Sequence, residues 1–88
     1  MNDYVLIKRL ILRKLIRKRM WTHKHTSIHN LPKGLPQNLG ATREVKNVVK
    51  DLLREGILLS KPTHYGLEVS LNIKKKREIE DFIERGWR

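Results

Sequence analysis

Residues 42–55, TREVKNVVKDLLRE, carry the side chains best suited to chemistry in this 88-residue chain. On a helical wheel turning about 100° per residue, they separate into three sectors. Arg43, Lys46, Asn47, Lys50 and Arg54 share one, Glu44, Asp51 and Glu55 share a second, and Val45, Val48, Val49, Leu52 and Leu53 share the third. Scattered surface charge would mix the signs. A basic stripe containing an amide is what a helix needs to enter a nucleic-acid groove. Arginine reads guanine edges in bidentate fashion and asparagine reads adenine, which gives those roles to Arg43 and Asn47. Lys46 and Lys50 suit phosphates. The simpler alternative is a solvated helix face with local ion pairs. The three acids are a conceivable magnesium set, but they lie on one exposed helix face with no pocket implied, and ion pairing accounts for them more simply.

Other residues with chemical potential are less organised. Lys33, Gln37 and Asn38 precede the basic helix and can meet phosphate near its N-terminus, where backbone N–H groups point outward. His23, His25 and His29 are close in sequence, yet no Cys, Asp or Glu lies near them to complete a zinc set, so exposed or capping roles are expected. A P-loop, a Gly-rich dinucleotide turn and a nucleophile elbow are all absent from the sequence. These readings point away from an enzyme, with no metal and no cofactor expected.

Composition narrows the partner. The formal charge is +11, from 20 basic and 9 acidic side chains, and the pI is about 10.5. Such an imbalance favours a polyanion, nucleic acid before an acidic membrane surface. The chain has no cysteine, so neither a disulfide nor a thiolate metal site stiffens it, which fits a reducing compartment. No uninterrupted apolar run of the length a bilayer requires occurs, and the cations of residues 5–20 are dispersed through the apolar residues rather than clustered before them. A soluble, cytoplasmic protein of one domain, residues 1–88, is expected, nucleoid-associated if it binds DNA.

The elements that must position the basic stripe follow from periodicity. Residues 3–19 read as a helix capped by Asp3 or Asn2. Its main apolar stripe is Tyr4, Val5, Ile11, Leu12, Leu15 and Ile16. Leu6, Leu10 and Ile7 fall on a second face, available to a homodimer or to a returning C-terminal segment. Lys8, Arg9, Arg13, Lys14, Arg17, Lys18 and Arg19, with Lys24, can extend a backbone-binding surface. Because the apolar residues of this helix are needed for a small core, membrane binding is not expected. A connector then leads to a short helix near 27–31 capped by Ser27. Pro32, Gly34 and Pro36 break the helical spacing, and Pro36 opens a helical turn ending at Gly40. After helix 42–55, Gly56 suits a left-handed C-cap. A strand at 57–61, a turn at 62–66 and a returning strand at 67–71 follow. Asn72 caps a last helix reaching about Arg85, whose buried stripe is Ile73, Ile79, Phe82 and Ile83.

The order helix, short helix, helix, strand, turn, strand, helix resembles a winged helix-turn-helix domain over nearly the whole chain. The resemblance rests on Val45, Val49 and Leu52, on Gly56-Ile-Leu58 with the hairpin after it, and on KPTHYGLEVSLN, which is similar to the wing of small archaeal winged-helix proteins. It implies an α+β fold in which the third helix enters the major groove. It also implies that Lys61, Thr63, His64 and Tyr65, at the wing tip, touch the neighbouring backbone or minor groove. Residues 31–40 depart from the family, being longer and richer in proline than its tight turn. Together these readings predict a non-enzymatic nucleic-acid-binding protein. Double-stranded DNA is favoured over RNA, and the role is transcriptional regulation or DNA packaging. The alternatives are an RNA-binding module or a protein-interaction module. One local puzzle accompanies them: Lys74, Lys75, Lys76 and Arg77 crowd the start of the last helix, where the dipole favours anions. Asp51 and Glu55 of the third helix are the expected partners.

Overall fold

The computed structural model describes residues 3–40 and 43–85; the candidate cap Asn2 and the start of the basic helix at Thr42 lie outside them. The order of elements is α1 (Tyr4–Arg17), β1 (Thr26–Ser27), a 3-10 turn (Ile28–Asn30), α2 (Gln37–Gly40), α3 (Arg43–Arg54), β2 (Leu58–Thr63), β3 (Gly66–Leu71), a second 3-10 turn (Ile73–Lys75) and α4 (Lys76–Arg85). The fold is α+β, with helices packed on a three-stranded antiparallel sheet of order β1-β3-β2.

Helix α1 is the centre of the helical layer, in contact with α3, α4 and β3. Ile7, Ile11, Leu12 and Leu15 are its buried residues. This corrects the expected stripe. Ile7 belongs to the core, whereas Tyr4, Leu6, Leu10 and Ile16 pack around it partly buried. A helix touched from several sides buries a wider arc than one face, so the division into two stripes does not hold. Asp3 occupies the N-cap position, but its side chain makes no capping bond.

Helix α1 ends at Arg17 with Lys18 as its C-cap, and Arg19 follows with φ +56°. The Met20 amide reaches back to the Leu15 carbonyl at 3.0 Å, closing a left-handed C-cap. The chain then runs along the sheet. Trp21 makes a parallel bridge to Leu71, and β1 pairs with β3 through Thr26–Val69 and Ser27–Glu68. The Ser27 hydroxyl accepts from the His29 amide, as its capping role requires. Pro36 precedes α2, as expected.

Helix α3 buries Val45, Val48, Val49 and Leu52 against α1 and β2. Gly56 follows with φ +76°, and the Ile57 amide bonds the Leu52 carbonyl at 3.0 Å. The hairpin is longer and its turn tighter than expected: Lys61, Pro62 and Thr63 all pair, opposite Glu68, Leu67 and Gly66. Pro62 is tolerated because β2 lies at the sheet edge.

At the end of β3, Asn72 joins three elements. Its amide bonds the Ile57 carbonyl at 3.0 Å, its side chain donates to the Gly56 carbonyl at 2.8 Å, and its Oδ1 accepts from the Lys74 amide at 3.0 Å. The helix capped by Asn72 starts as a 3-10 turn. Ile73 is 48 % exposed, contrary to the expected buried stripe, because three residues per turn place it off the face that Ile79 buries.

Candidate nucleic-acid interface

The basic sector of α3 faces solvent. Arg43, Lys46, Asn47, Lys50 and Arg54 are all exposed, while the valine and leucine sector faces the core. The sectors are not chemically independent. The Asn47 side-chain amide donates to Glu44 Oε1 at 3.2 Å, and the Arg54 guanidinium pairs with Asp51 at 2.6 Å. These local bonds engage Asn47 and Arg54. Arg43, Lys46 and Lys50 form no ion pair among the described residues. The stripe therefore offers three unpaired cations and two residues already held by acids.

The tip of the β2–β3 hairpin faces solvent. Tyr65 is 96 % exposed, and its ring meets His64 edge-on at 6.0 Å between centroids. The Thr63 hydroxyl donates to the Gly66 carbonyl at 2.7 Å and accepts from the Tyr65 amide at 3.3 Å, so Thr63 fixes the turn. Lys61 is exposed, opposite Glu68 across the ladder. The six residues of β2 run from Leu58, beside the end of α3, to Thr63 at the turn, about 17 Å at strand rise.

Residues 31–36 are tethered through α1. The Lys14 ammonium donates to the carbonyls of Asn30 and of Lys33, the latter at 2.6 Å. Partial burial, then the charges of Lys18 and Lys33, lower its pKa below the usual lysine value. Lys33 and Asn38 are exposed, and Gln37 opens α2.

Helix α1 supplies less free charge than expected. Besides Lys14, Arg9 donates to the Ile83 carbonyl at 2.6 Å, and the Lys8 ammonium lies 4.6 Å from the centroid of the Phe82 ring. These three cations hold α4 and the 31–36 segment in place. Arg13, Arg17, Lys18, Arg19 and Lys24 are exposed. Leu6 and Leu10, the candidate dimer contacts, are partly buried against the core, so a homodimer there would use only the surface they retain.

Asp51 and Glu55 do not neutralise the cations at the start of α4. Asp51 accepts from the Tyr4 hydroxyl at 2.5 Å and from Arg54. Lys75 pairs instead with Glu78 at 3.6 Å and Lys76 with Glu80 at 4.0 Å. The ends of α3 and β3 do meet, as expected, but through Asn72 rather than through charge. Compensation at α4 is local, from acids three and four residues further on.

An apolar groove beside the basic stripe has no counterpart in the sequence reading. It is an open groove of about 450 Å³ between α3 and the 3-10 turn after β1. Among the described residues, no group of three or more His, Asp or Glu is placed to hold a metal ion, and no helix is long and apolar enough to cross a membrane. Comparison with protein-family models, curated proteins and solved structures finds no match to this chain.

Proposed function

We propose that this protein is a non-catalytic nucleic-acid-binding module of winged-helix type, and that duplex DNA is its preferred ligand. The observation that carries the reading is the row Arg43, Lys46 and Lys50, exposed on one helix with no acidic partner among the described residues. The sheet order β1-β3-β2, with β2 and β3 forming a projecting hairpin after α3, is compatible with a winged helix. In that arrangement α3 lies in the major groove. Arg43 reads a base edge, Lys46 and Lys50 hold phosphates, and Lys61 and Tyr65 meet the flanking backbone. Asn47 and Arg54 must exchange Glu44 and Asp51 for the ligand to take part. Regulation of transcription or packaging of DNA both follow from such binding.

The test is a titration against matched duplex DNA, single-stranded DNA and duplex RNA at several salt concentrations, repeated with Arg43→Ala/Lys46→Ala. Duplex DNA should bind best, with a steep salt slope. The double variant should lower that slope by about one, for the phosphate cation Lys46, and lose the base discrimination that Arg43 supplies. Equal or better binding of duplex RNA would move the assignment to RNA, whose deep major groove excludes a helix. An unchanged slope in the folded variant would remove α3 from the interface.

A further inference from the structure

The apolar sector of α3 is largely covered by α1 and β2, and Leu53 at its edge stays half-exposed. Leu53 and the nearly buried Val45 and Val49 line the groove from α3, with Ile28, His29 and Pro32 opposite. Lys46 and Lys50 stand on the same rim, one helical turn apart. Residues spaced four apart on a helix have Cβ atoms about 5–6 Å from each other, close enough for two ammonium groups to bracket one anion. Neither lysine is committed to an acid among the described residues.

From this geometry we infer that the groove is a binding site for a small anionic molecule with an apolar body, such as an aryl or alkyl carboxylate. Three features select that class. At about 450 Å³ the groove lies within the range of small-ligand pockets. Its floor is mainly aliphatic, so a bound ring or chain loses water on the face it lays against the groove. Its rim is cationic, so an anionic head finds two charge-assisted donors. A second copy of the chain is disfavoured by the charge of +11 on each molecule.

Occupancy has a consequence that rests on the proposed function. Lys46 and Lys50 serve both the groove and the basic stripe of α3. A bound carboxylate neutralises the cations that would hold phosphates. Ligand and duplex DNA therefore compete, and the small molecule acts as an effector that releases the protein from DNA.

The experiment is an amide-resolved NMR titration of the full chain with 2-naphthoate, without nucleic acid. Uncharged 2-naphthamide serves as the control ligand, and Lys46→Gln/Lys50→Gln as the variant. Shifts should concentrate at Ile28, Lys46, Val49, Lys50 and Leu53. The naphthoate should bind roughly tenfold or more tightly than the amide, and the variant should erase that difference. Equal binding of the two ligands, an unchanged preference in the variant, or shifts spread over all lysines would overturn the inference. So would binding of an acidic amphipathic peptide by a groove that ignores naphthoate, which would assign it to a protein partner. Addition of naphthoate to the duplex complex then separates the two readings. Displacement supports both. Binding without displacement keeps the site and counts against α3 as the DNA-contacting element.

Discussion

Asp51 receives two donors at once, the Tyr4 hydroxyl at 2.5 Å from α1 and the Arg54 guanidinium at 2.6 Å from its own helix. Burial first, then the bond to Asp51 and the charges of Asp51 and Glu55, push the Tyr4 pKa up from 10.0 to about 12. The folded chain thus holds the phenolic proton more firmly than the unfolded chain. The stabilisation is complete below pH 10, and it is lost as pH rises through about 12. Tyr4→Phe should cost about 1 kcal/mol at neutral pH, the net worth of a hydrogen bond. In urea titrations the gap between parent and variant should shrink as the pH passes from 10 towards 12; a constant gap would mean that ring packing, not the hydroxyl, does the stabilising. No sequence period links residues 4 and 51. Tyr4 was legible as apolar, but its hydroxyl was not legible as the partner of Asp51. Sequence alone therefore offers Asp51 to Lys74–Lys76 and Arg77, whereas Tyr4 and Arg54 hold it.

Gly56 ends α3 with φ +76°, and a Cβ there would meet nothing within 4 Å, so any cost of adding one comes from the backbone alone. Left-handed backbone penalises an L side chain by about 1–2 kcal/mol. Gly56→Ala should lower stability by that amount, and thermal melting is the direct check. Arg19 occupies the same kind of position at φ +56° after α1. Arg19→Gly should relieve strain while adding freedom to the unfolded chain, so its melting temperature should rise or hold, never fall as in Gly56→Ala. A glycine after a valine-leucine helix is a readable stop signal, and an arginine after a lysine-rich helix is not. The same contrast runs through the other elements. Helix α3 was legible because it is long, amphipathic and covered on one face. The hairpin was under-read because Pro62 looks like a breaker until β2 is known to be an edge strand. Ile73 fits an α-helical stripe by spacing, but it stands in a 3-10 turn and faces outward. The groove beside α3 was not legible at all. It depends on the gap between α3 and the 3-10 turn after β1, where Leu53 stays half-exposed, and such a gap leaves no period in a sequence.

At the scale of the whole molecule, the net charge of +11 acts in opposite directions on folding and on binding. The ion pairs among the described residues join side chains three or four apart, so they do little to offset repulsion between distant parts of the chain. Added salt screens that repulsion, with a Debye length falling to about 8 Å at physiological ionic strength. The folded state should gain stability, and each 1 kcal/mol gained should raise the melting temperature by roughly 4–8 °C. The same salt removes the entropy gained when counterions leave a duplex. In the proposed complex, if only Lys46 and Lys50 neutralise phosphates, the slope of log affinity against log salt is about −1.8, and affinity falls roughly twelvefold between about 50 and 200 mM. Participation by Lys61 and the exposed cations of α1 steepens it further. Melting and binding measured over one salt series should therefore move in opposite directions. A parallel fall in both would mean that salt acts by loosening the fold, and the loss of affinity could not then be assigned to the basic stripe.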